Sequence, residues 1–125
     1  MGIGHKRQSG LSADFVLAKA LINVQIHLGL TQKELSDIIH TSPATVCRLA
    51  KGLEMNPDSA EGQFAMSFIR LYRSLSTLFG GQDELARAWL LSDNAYFESK
   101  PIDLIKSIDG LSQVLIYLDA MRGLA

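Results

Sequence analysis

Cysteine is almost missing from this sequence: Cys47 is the only one in 125 residues. A single thiol cannot close an internal disulfide, so the fold must rest on its core, and a reducing cytoplasm is the expected setting. No apolar run approaches the ~20 residues of a membrane span. The first residues carry Lys6 and Arg7 with no apolar stretch behind them, so they do not read as a secretory signal. Lys6 also stands where a myristoylation signal needs Ser or Thr. Residues 1–11 are expected to be a mobile tail. His5, His27 and His40 have no ligand spacing with one another or with Cys47. There is no Gly-rich phosphate loop, no catalytic carboxylate pair and no nucleophile elbow. No metal, no cofactor and no enzyme activity are expected.

Net charge is also scarce, at −1, but it is unevenly placed. Residues 1–56 carry six Lys and Arg against four acids, a balance of +2. The remainder carries six against nine, a balance of −3. Such a split places an anionic partner with the first half and a different partner with the second.

What is present is helical periodicity. Apolar residues recur at helical spacing, and strand-like alternation of β-branched residues is missing. The expected class is all-α: a helix-turn-helix bundle over 12–57 and a small helical domain over 58–125. Helices are predicted over about 12–28, in two short pieces between Leu30 and Gly52, then over about 58–79, 83–91, 101–108 and 110–122. The helix over 58–79 has a broad stripe of Phe64, Phe68, Leu71, Tyr72, Leu75, Leu78 and Phe79. That stripe is core, with width to spare for a homodimer interface.

The segment from Leu30 to Gly52 is the densest in signals. Thr31 and Glu34 have the spacing of a capping box, with Leu30 and Leu35 as its hydrophobic staple. Ser42 is a second cap, and Pro43 fills the first position of the next helix, where its missing amide proton costs nothing. Leu35, Ile38, Ile39, Val46, Leu49 and Ala50 are expected inside. Ala44, Cys47, Arg48 and Lys51, spaced i, i+3, i+4 and i+7, make an outer face without large apolar groups. Such a face fits the major groove. Gln32 and Lys33 lie at a helix start, where free amides favour a phosphate. Arg48 has the fork that binds guanine O6 and N7 together. Pro43 and Ala44 offer only van der Waals contact, and Thr45 completes the set of expected DNA contacts with Ser42.

The motif resembles the Xre family of phage-repressor-like helix-turn-helix proteins through Leu30-Thr31-Gln32, Glu34-Leu35, Ser42, Thr45-Val46, Arg48-Leu49 and Gly52. His40 replaces the family's usual turn glycine, and Pro43 and Ala44 replace its polar reading residues. Asp83 to Gly123 resembles the toxin-binding domain of Xre/MbcA/ParS-type antitoxins. The matching residues include Ala88-Trp89-Leu90, Asn94, Pro101 to Ile105, Gly110-Leu111, Val114 and Tyr117 to Gly123. Where a glycine is common before Pro101, this chain has Glu98-Ser99-Lys100.

The resemblance implies a type II antitoxin. It implies a homodimer that binds a RES-domain, NAD-consuming toxin, blocks its active site, and binds its own operator DNA. It places toxin contacts at the chain end, on Tyr117, Asp119, Arg122 and Ala125. The residues themselves leave plainer readings open. Trp89 beside Leu85, Ala88 and Leu90 reads as a core anchor. Asp119 and Arg122 have the spacing of a surface ion pair. Cys47 beside Arg48 and Lys51 has the surroundings of a redox-sensitive thiol. A transcriptional regulator without a toxin partner, or an interaction module on a helix-turn-helix scaffold, is the alternative function.

Overall fold

The structure, a computed structural model, describes residues 12–123. The expected tail and Ala125 lie outside the described residues. Seven helices follow one another among those residues: α1 (Ala13–Leu28), α2 (Gln32–Ile39), α3 (Pro43–Ala50), α4 (Ala60–Leu78), α5 (Asp83–Leu91), α6 (Pro101–Leu104) and α7 (Ile108–Gly123). Among the described residues, the only strand-like pairing is an isolated bridge between Asn94 and Ser99. The all-α class holds.

Short-range chemistry sets most of the boundaries. Ser12, Thr31, Ser42 and Ser59 each accept a hydrogen bond from the backbone N–H three residues on. Gly29 ends α1 in the left-handed region at φ 63°, where its lack of a Cβ removes the usual cost. α4 starts at Ala60 rather than near Asp58. The Asn56 side chain accepts from the Asp58 amide and holds residues 56–58 in a turn, leaving Ser59 as the cap.

α6 is shorter than expected and α7 starts earlier. The hydroxyl of Ser107 accepts from the Gly110 amide at 3.0 Å and caps a helix that already contains Asp109-Gly110. Gly110 therefore serves close packing, not a turn. A Cβ there would strike the carbonyl group of Leu104.

α4 is the central element, packing against α1, α2, α5 and α7. Phe68, Leu71 and Leu75 on α4 are fully enclosed, joined by Leu21 and Leu28 from α1 and by Ile38 and Ile39 from α2. Leu90, Ile105, Val114 and Leu118 extend the same cluster into the second half. One continuous core thus runs through both halves. The stripe on α4 is only partly core: Leu78 is exposed, and Phe64, Tyr72 and Phe79 are half-buried.

Side chains stitch the first half to the second. Nη1 of Arg87 on α5 donates to the carbonyl oxygens of Leu28 and Gly29, at 2.7 and 2.6 Å. The Asp83 carboxylate receives the Tyr72 hydroxyl at 2.7 Å and lies 2.8 Å from Nδ1 of His27.

Candidate functional site

The helix-turn-helix is built as its residues require. The Thr31 hydroxyl accepts from the Glu34 amide at 3.0 Å, and the Glu34 carboxylate accepts from the Thr31 amide at 2.8 Å. Both orphan donors of this helix start are satisfied. Leu30 and Leu35 of the staple are buried. His40 closes α2 in the left-handed region at φ 61°. Its ring lies against Phe64 of α4, with centroids 4.3 Å apart, and this packing holds the unusual conformation in place.

α3 turns Val46 and Leu49 inward, while Ala50 is exposed. The inward place expected for Ala50 is thus lost, because α1 leaves a shallow groove there lined by Phe15, Lys19, Ile22 and Ala50. Gln32, Lys33, Ser42, Pro43, Ala44, Arg48 and Lys51 are exposed; Thr45 and Cys47 are half-buried. Among the described residues, no ion-pair partner approaches Arg48 or Lys51. Lys33 is different, because its Nζ lies 2.8 Å from Asp37. Hydrogen bonding from Lys33 lowers the pKa of Asp37 below the usual carboxylate range, more than desolvation raises it. A phosphate at this helix start must compete with Asp37 for Lys33. Ser42 and Thr45 are likewise engaged, their hydroxyls 3.0 Å apart.

The second half brings together residues that are distant in sequence. Tyr117 on α7 meets Tyr96 and Phe97 of the loop after α5, with ring centroids 4.7 and 5.1 Å away. Trp89 of α5 stacks with Tyr117 and stands edge-on to Phe97, each at 6.3 Å. The loop is braced by Asn94, whose side-chain oxygen accepts from the Tyr96 and Phe97 amides. Glu98 stands in the left-handed region at φ 57°. It is in the three-residue stretch where a glycine is common, and the Glu98 amide donates to the Asn94 carbonyl at 2.7 Å. Beside this cluster lies an open cleft of about 480 Å³, lined by Tyr96, Phe97, Gln113, Ile116, Tyr117 and Ala120.

Comparison with known proteins gives two family matches along the chain. Residues 10–61 match the antitoxin Xre-like helix-turn-helix domain. Residues 74–123 match the antitoxin Xre/MbcA/ParS C-terminal toxin-binding domain. The mycobacterial cidal antitoxin MbcA of Mycobacterium tuberculosis is 32% identical over 108 residues, covering 85% of this chain and 91% of the relative. MbcA of Mycobacterium bovis matches with the same figures. A chain in the crystal structure of the M. tuberculosis MbcT-MbcA toxin-antitoxin complex superposes with a TM-score of 0.67 at 30% identity, over 85% of this chain and 93% of that one. The chain belongs to the Xre/MbcA/ParS antitoxin family.

Within this antitoxin, the three described residues among those expected at the chain end, Tyr117, Asp119 and Arg122, do not form one patch. Tyr117 faces the loop aromatics. Asp119 points elsewhere and is held by Arg70 of α4 and by Arg122, the latter at 3.4 Å. At ~100° per residue, Tyr117 and Arg122 leave the helix on different sides. Asp119 and Arg122 therefore form the ion pair that their spacing allows, with Arg70 added. Trp89 is half-buried and supports the aromatic cluster. Sequence reasoning missed Tyr96, Phe97, Gln113 and Ile116. The Tyr96-Phe97 pair two residues after Asn94 was the available signal, since an Asx turn presents its following residues.

Proposed function

We propose that this antitoxin neutralises a RES-domain, NAD-consuming toxin in the cytoplasm by covering the toxin's active site, and that it represses its own operon by binding operator DNA. The toxin-binding-domain match over residues 74–123 is the observation that carries the reading. The solved relative in a toxin-antitoxin complex supports it. In this reading residues 12–57 hold the operator and residues 58–125 hold the toxin, with Tyr117, Asp119, Arg122 and Ala125 among the toxin contacts. Arg122 is the residue best suited to a cleft shaped for a phosphate-bearing nucleotide, because a guanidinium pairs with phosphate in a fork.

The DNA contacts would be divided by role. Gln32 and Lys33 address phosphate, with Ser42 and Thr45 beside them. Arg48 reads a base edge, Lys51 adds charge, and Pro43, Ala44 and Cys47 permit close approach. Two copies are needed to place two recognition helices on a palindromic operator. An apolar groove of about 390 Å³ between α4 and α7, lined by Phe64, Ile108, Leu111 and Leu115, supports association through α4.

Co-expression tests the main reading. A candidate RES-domain toxin is induced with and without the antitoxin, and growth and cellular NAD are followed. Arrested growth and NAD loss without the antitoxin, both reversed with it, are expected. NAD loss that persists in its presence would overturn the reading.

A further inference from the structure

We propose that the cleft between the Asn94–Ser99 loop and α7 is the socket in which the toxin seats apolar side chains. The proposal rests on the antitoxin reading above and assigns that binding to one surface. Its walls are the rings of Tyr96, Phe97 and Tyr117 and the side chains of Ile116 and Ala120, with the Gln113 amide at the rim.

Tyr96 and Ile116 are 71% and 68% exposed. Ile116 belongs to a helix whose inner face is already filled by Leu111, Val114, Leu115 and Leu118. The fold does not need these two side chains inside, and together they leave an apolar surface open to water. Such surfaces mark interaction sites when they are contiguous.

The cleft is also prepared in advance. Tyr96 packs edge-on against Phe97 at 5.0 Å and tilts against Tyr117 at 4.7 Å. The loop behind them is fixed by the Asn94 side chain, by the Asn94–Ser99 bridge and by the left-handed Glu98. Aromatic anchors already held in place lose little freedom on binding, which is the usual route to strong contacts from few residues.

Two features of the cleft favour the toxin as occupant. Both walls fall within residues 74–123, the segment matched to the toxin-binding domain. Among the described residues the lining holds no charged side chain, so a nucleotide or a phosphate would find no counter-charge there, whereas aliphatic or aromatic side chains would find apolar contact. Arg122 and Asp119 lie on other sides of α7. The socket shares Tyr117 with the expected chain-end contacts but is a point of grip separate from Asp119 and Arg122, and its role is affinity rather than occlusion.

The test uses the full-length antitoxin, its Ile116→Glu and Tyr96→Ser variants, and the purified RES-domain toxin that the parent antitoxin neutralises in co-expression. Affinity is measured by calorimetry, fold by thermal unfolding, and association state by light scattering. Each variant should melt like the parent and bind the toxin about thirty-fold more weakly or worse. Parent-like affinity in both variants would overturn the socket while leaving the antitoxin reading intact. Failure of the parent itself to bind would overturn that reading, and the socket with it. Dissociation of an Ile116→Glu dimer with unchanged toxin affinity would assign the cleft to a second copy and refute the proposal.

Discussion

Nη1 of Arg87 on α5 donates to the carbonyl oxygen of Gly29, at the end of α1, at 2.6 Å. The same nitrogen reaches the Leu28 carbonyl at 2.7 Å. A helix C-terminus carries unpaired carbonyls and partial negative charge, so a guanidinium there satisfies both. Arg87→Ala should lower stability by about 1–3 kcal/mol, because hydrogen bonds to charged groups are the stronger kind. The urea midpoint reads this directly, and a midpoint equal to the parent's would refute it.

Asp83 gives the same junction a dependence on pH. Hydrogen bonding from Tyr72, then from His27, holds its carboxyl below the usual carboxylate value. Burial, followed by the nearby carboxylate, pushes the Tyr72 phenol upward, so it remains a donor through neutral pH. A group whose pKa is lowered by folding stabilises fully above its unfolded value, about 3.9 for Asp. That stability is lost as pH falls through the lower folded value. Asp83→Asn keeps an acceptor for Tyr72 but removes the charge. Its melting temperature should therefore fall less steeply than the parent's below about pH 4. Parallel curves would show that Asp83 contributes nothing to acid sensitivity.

Arg48 tests the reading face. Arg48→Ala should cost about 1–3 kcal/mol of discrimination, roughly ten- to a hundred-fold in operator affinity at fixed salt. Toxin neutralisation should be unchanged, since Arg48 is on α3 and outside the toxin-binding-domain match. Fluorescence anisotropy on the upstream region of the gene measures the first effect. Equal affinities for parent and variant would remove Arg48 from the interface.

Gly110 tests packing between α6 and α7. An added Cβ would collide with the Leu104 carbonyl and approach the Ser107 hydroxyl at 2.9 Å. Backbone cannot give way as a side-chain tip can, so Gly110→Ala should destabilise by about 1–3 kcal/mol despite alanine's better helix propensity. Gly123→Ala is the control, because nothing lies near its Cβ position. Equal unfolding midpoints for both variants would refute the close approach.

The helix-turn-helix was legible because its signals are local. Thr31 and Glu34, or Ser42 and Thr45, are three residues apart, and their hydrogen bonds form wherever the chain enters a helix. The turn at His40 was legible from the resemblance, because His40 stands where the family usually has glycine, and the structure places it in the left-handed region. Ala50 shows where locality fails. Its place on α3 follows from the helix period, but whether a neighbour covers that place depends on how α1 crosses it.

By itself, the sequence determined seven-helix content closely enough to name the class, the caps, the inward residues of α2, and the split between a basic first half and an acidic second half. Periodicity and capping act within one or two turns, so they survive without knowledge of the rest. The tertiary structure decided what the second half presents. It brought Arg70 to Asp119 and Arg87 to Gly29, pairs 49 and 58 residues apart. It set Tyr117 against Tyr96 and Phe97. Those outcomes depend on where α4 places α7 and α5. That placement is set by the shared core around Phe68, Leu75 and Leu118, which no local pattern encodes.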